Sequence, residues 1–173
     1  MPSTANVLVG AATVLIYAWS SSLSDITDSS MTDLGHTSGP TTISSSLENY
    51  EVKSERSTGF IKVVPISGNF QIKTPMIELS MFNIYVAYKQ TTSTTTQVSL
   101  LAFQEAYWQM VIKTTGISTN AVRRYRFYKT QVVSGGELPI AKNSEQKLDV
   151  TWQALWDDSL STPAYGKVVD AAT

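Results

Sequence analysis

Residues 147–157 read KLDVTWQALWD. At two residues per step, Leu148, Val150, Trp152, Ala154 and Trp156 share one face, while Lys147, Asp149, Thr151, Gln153 and Asp157 fall mostly on the other. That alternation predicts a half-buried strand. An indole can bury about 150 to 250 Å², so other strands are expected to gather over Val150, Trp152 and Trp156. Residues 7–19, VLVGAATVLIYAW, read as a buried strand pair or as one long strand kinked at Gly10. The run is shorter than the roughly 20 residues a membrane-spanning helix needs. No Lys or Arg precedes it as the basic start of a signal peptide.

Between these ends the pattern predicts further strands at residues 43–54, 98–103, 106–113 and 121–133, with Trp108 in the core. Two short strands at 60–64 and 69–73 are expected to flank a hairpin turn at 65–68, and 116–120 to form another turn. One helix is expected to open at Thr74-Pro75, where the hydroxyl can cap and proline fits the first helical position. Its apolar stripe of Leu79, Phe82 and Val86 would lie on a sheet. Residues 20–42 are polar, with only Leu23, Ile26, Met31 and Leu34 large and apolar, and predict a long loop that is mobile in a free subunit. Residues 159–173 have weak periodicity and are expected to be irregular. The whole is one mainly β domain spanning 1–173, a β-sandwich or open barrel with one flanking α-helix.

Composition narrows the chemistry. Thirteen basic against fourteen acidic residues leave a net charge of -1, so nucleic-acid binding would have to rest on a local patch. There is no cysteine, and only 16% of residues are charged, which suits a surface partly hidden by neighbouring subunits. The lone histidine sits in Gly35-His36-Thr37-Ser38-Gly39, without the preceding strand and following helix that a nucleophile elbow requires. Asp25, Asp28 and Asp33 lack the spacing of a calcium loop, and no phosphate-cradling glycine motif is present. No catalytic, cofactor or metal role is assigned, and an enzyme is not expected. Arg123, Arg124 and Arg126 alternate with Tyr125, Phe127 and Tyr128, placing Arg124 and Arg126 on one face of a strand and Arg123 on the other. A single-stranded nucleic-acid groove uses such ingredients, but in a near-neutral chain ion pairs within or between subunits are the stronger expectation.

Three features together resemble the major tail tube proteins of tailed bacteriophages, whose fold is shared with type VI secretion tube proteins. Residues 138–157, LPIAKNSEQKLDVTWQALWD, are similar to that family's closing segment. Asp33-Leu34-Gly35 with Thr37 and Gly39, followed by Glu48 and Glu51-Val52, is similar to its glycine loop before an acidic strand. The proline-started helix near mid-chain fits as well.

The resemblance implies six subunits in a ring, with their strands joined into one closed barrel and rings stacked into a hollow tube that conducts genomic DNA without reading its sequence. It also implies other tail proteins as partners (tape measure, terminator or sheath), assembly in the host cytoplasm and residence in the virion tail. Subunit contacts are expected at Arg123, Arg124, Arg126, Asp25, Asp28, Leu34, His36, Glu48 and Glu51. A different reading is a monomeric β-sandwich adhesin or carbohydrate-binding module with Trp19, Trp108 and Tyr107 as stacking platforms.

Overall fold

The computed structural model describes residues 12–21, 27–53, 60–90, 96–100, 104–115, 122–140 and 146–171. The Trp152 strand forms as its pattern predicts: in β7 (Leu148–Leu155) Leu148, Val150, Trp152 and Ala154 are buried and the residues between them are not. Trp156 is a correction, since it is 53% exposed. The strand ends at Leu155, so Trp156 lies beyond the ladder that would have kept it under cover.

Around β7 the chain builds one antiparallel sheet from β1 (Thr13–Ala18), β2 (Thr32–Asp33), β3 (Thr42–Lys53), β4 (Phe60–Met76), β5 (Trp108–Thr115), β6 (Val122–Ser134) and β8 (Gly166–Ala171). Its order is β2-β1-β5-β6-β7-β4-β3, with β8 added on β6. The fold is therefore mainly β with one helix, and in the single chain the terminal strands β2 and β3 do not pair with each other. β6 is long enough to serve two partners along one edge: residues 122–127 pair with β8, and 129–134 pair with β7.

Two of the expected boundaries move. The hairpin turn at 65–68 is instead the middle of β4, where Pro65 pairs with Asn49 beside a register shift and Gly68 sits opposite Leu47. Proline and glycine here mark a bulge in a long strand. The helix α1 (Met81–Ala87) starts well after Thr74. Thr74 and Pro75 remain in β4, paired with Val150 and Asp149, because the β4–β7 ladder runs on to Met76 and Leu148. Sheet pairing outweighs the local capping signal, and Ser80 supplies the cap instead, its Oγ accepting from the Asn83 N–H at 3.1 Å.

α1 lies on the core face. Val86 is buried, and Leu79 and Phe82 are half-buried against the core. Phe82 and Tyr85 meet the buried Trp108 edge-on, at centroid distances of 6.1 and 6.3 Å. The opposite face carries a smaller cluster of Leu15, Met31 and Val111.

Two polar stretches are more ordered than expected. Within 20–42 there are a 3-10 turn at Asp28–Ser30, strand β2 and the buried Met31 and Leu34. The tail expected to be irregular contains β8, whose partner strand β6 supplies what its own weak periodicity lacks. Gly166 allows that approach, because a Cβ there would collide with the Arg126 carbonyl oxygen. The expectations for residues 7–11, including Gly10, for Leu23, Asp25 and Ile26, for 101–103 and for the turn at 116–120 lie outside the described residues.

Candidate subunit interface

The alternation along β6 divides its arginines as the sequence predicts. Arg124 and Arg126 stand opposite Lys113 and Val111 of β5 and opposite Val169 and Lys167 of β8, on the face away from the main core. The 3-10 turn brings Asp28 among them. Arg124 Nε donates to Asp28 Oδ2 at 2.8 Å, and Lys113 Nζ and Arg126 Nη2 lie 3.5 Å from its two carboxylate oxygens. Asp28, Arg124 and Arg126 line a cavity of about 530 Å³ together with Thr27, Ser29, Lys167 and Val169. Arg123 makes a separate, exposed pair with Asp170, with hydrogen bonds of 2.6 and 2.8 Å. The arginines thus hold carboxylates of their own chain, and Asp28 fastens a segment that the sequence left free.

A second lock closes the C-terminal part. Trp19 Nε1 donates to Asp157 Oδ2 at 2.9 Å, and the Ser159 hydroxyl and N–H donate to Asp157 Oδ1 at 2.6 and 3.1 Å. Lys129 Nζ lies over the rings of Trp19 and Tyr107 at 4.2 and 4.6 Å. Burial by itself would raise the carboxyls of Asp28 and Asp157. The hydrogen bond and charge of Arg124, with Lys113, outweigh it at Asp28, and the bonds from Ser159 and Trp19, with the Lys129 charge, outweigh it at Asp157. Both sit below the ordinary value of 3.8. A depressed carboxyl stabilises the fold above its unfolded pKa, and that contribution is lost as pH falls through the folded value. The melting temperature is therefore expected to fall more steeply below pH 3.8 in the wild type than in Asp28→Asn or Asp157→Asn. Equal acid slopes would show that neither charge contributes.

The other expected interface residues are scattered. Leu34 is a correction, since at 1% exposed it belongs to the core and cannot touch a neighbour. Its backbone is held from both sides: its N–H donates to the Val14 carbonyl, and its carbonyl accepts from Asn83 Nδ2. His36 is exposed, with its carbonyl accepting from Ile77 N. Glu48 and Glu51 lie exposed on β3, Glu48 accepting from the Ser67 hydroxyl at 3.1 Å.

Glu48 and Glu51 belong to a feature that the sequence pattern split in two. β4 pairs with β7 only from Phe70 onward, so residues 60–69 and their partners on β3 run past the end of β7 as a two-stranded ribbon. Leu47, Tyr50 and Val63 stand on it as large exposed apolar side chains. At the base of the ribbon, Ile43, Phe70, Phe127, Trp156, Tyr165 and Val168 line an apolar groove of about 560 Å³ beside β8. The Tyr165 hydroxyl spans it, donating to the Gly68 carbonyl at 2.7 Å. Sequence reasoning missed this groove because it depends on β8. The available signal was Trp156, one step beyond the last alternating position of its strand.

The class defined so far is an open, antiparallel, mainly β domain with one flanking helix. No family model matches the chain, and no curated protein matches it in sequence. Among the described residues no group of three or more His, Asp or Glu side chains is arranged to hold a metal ion. Among them, too, no helix is long and apolar enough to cross a membrane.

Proposed function

We propose that the chain is a structural subunit of a bacteriophage tail tube, acting by self-association and not by catalysis. The observation that carries this reading is the β3–β4 ribbon, which extends beyond the sheet with exposed apolar side chains and, among the described residues, ends the strand order on an unpaired edge. A two-stranded ribbon is marginal alone in water, and an open strand edge is a template for pairing. Closing such edges between neighbours gives a ring, here of six subunits with one shared barrel, and stacking the rings gives a conduit for genomic DNA. Other tail proteins would cap or measure the tube. The resemblance of residues 138–157 to the tail tube closing segment supports assigning the assembly to a phage tail. Negative-stain microscopy of the purified chain tests it, with hollow tubes or six-fold rings expected; uniform small particles at every concentration would defeat it.

A binding-module reading is favoured by one observation only, the exposed Trp156 with Tyr165 edge-on at 5.2 Å. The platforms first expected for it do not serve: Trp108 is buried, and Trp19 is capped by Lys129. Saccharide-dependent quenching of tryptophan fluorescence, lost in Trp156→Ala, is the result that would support it.

A further inference from the structure

β8 and β3 are complementary in pattern. β8 pairs with β6 along one edge, and among the described residues no strand pairs with its other edge. Opposite Tyr125 and Arg126 respectively, Val168 faces the groove while Lys167 faces away from the core. Val168 is 61% exposed. On β3, Ile43, Ser45 and Leu47 stand opposite Ile72, Phe70 and Gly68, so Leu47 shares the core face and its neighbour Glu48 takes the other. Leu47 is 68% exposed. Among the described residues each strand thus offers an unpaired edge, an uncovered aliphatic side chain on the core face and a charge on the opposite face, and the two charges have opposite sign.

We propose that the β3–β4 ribbon of a second copy docks on β8, with the outer edge of its β3 adding to the outer edge of β8 and its Leu47 entering the groove beside Trp156. Edge addition satisfies backbone donors and acceptors on both strands, and the side chains of alternate residues set the register. In that arrangement Leu47 meets Val168 on one face, and Glu48 approaches Lys167 on the other. Most of the groove's lining is apolar, with Arg126 and Lys167 the charged residues among it, and that balance suits an aliphatic side chain with an acidic neighbour. The chain cannot fill the groove with its own β3 edge, because β4 lies between β3 and the rest of the sheet. The two patches differ, so the contact is heterologous and propagates into a ring or a filament. The inference rests on the self-association in the proposed function but not on a tubular product.

The absence of cysteine makes the test direct. A Leu47→Cys chain is mixed with a size-tagged Val168→Cys chain and gently oxidised, while the mass of the unmodified protein is followed by light scattering. Disulfide-linked pairs containing one chain of each kind are expected, and neither variant should link to itself to a similar extent. Leu47→Asp should keep the melting temperature of the wild type and weaken self-association by about tenfold or more, as loss of a buried interface anchor does. Self-association without mixed disulfides would overturn this docking and leave the tube reading standing. Mixed disulfides in particles that are neither rings nor tubes would uphold the docking and defeat the tube. A chain that stays monomeric and unlinked at all concentrations removes both.

Discussion

Trp152→Ala is expected to lower the stability of the folded chain by about 3 to 5 kcal/mol, through lost transfer free energy and the cavity left behind. Trp152 is fully buried at the centre of the sheet, opposite Ile72 of β4 and Val132 of β6. It is flanked by paired strands on both sides, so the backbone has little freedom to collapse into the space. Urea denaturation of wild type and variant gives the measurement, read as a shift in midpoint at constant slope. Trp156→Ala is the internal control: that ring is half exposed, and its loss should cost far less. Similar losses for the two tryptophans would mean that the burial contrast at the end of β7 is wrong.

Asn83→Ala should be the next most damaging change, at about 2 to 4 kcal/mol, because two carbonyls lose a buried donor and retain their desolvation cost. Asn83 Nδ2 donates to the carbonyls of Glu78 and Leu34 at 2.6 and 2.9 Å, and the residue is 2% exposed. The second bond joins α1 to the segment after β2. Its loss should therefore release that segment, and hydrogen exchange of the Leu34 amide, which donates to the Val14 carbonyl, should speed up locally beyond the global change. Uniform acceleration at all amides would indicate simple destabilisation without the predicted tether.

Asn83 illustrates what pattern reading cannot reach. A polar residue at the start of an amphipathic helix looks like any solvated position, and its two acceptors lie 5 and 49 residues away. The helix boundary failed for a related reason. Thr74-Pro75 is a sound local signal, but seven consecutive pairings from Phe70 to Met76 tie that stretch to β7, and a non-local ladder of that length outweighs one cap. Asp28 follows the same logic: its sequence neighbours are polar, and it is fixed by Lys113, Arg124 and Arg126 from distant strands.

Where burial follows a simple period, the sequence by itself determined the structure. The alternation of β7, the division of the β6 arginines between two faces, the apolar spacing of Phe82 and Val86 on α1 and the mainly β class all follow from side chains pointing alternately across a strand or recurring around a helix. That information is local and survives in a one-dimensional string. Tertiary structure alone decided that β4 is one long strand, that β8 exists, that Leu34 lies inside and Trp156 outside, and that a ribbon with an open edge stands next to an apolar groove. Each of those depends on which segment arrives alongside, and strand partners are selected by edges and register that no single segment encodes.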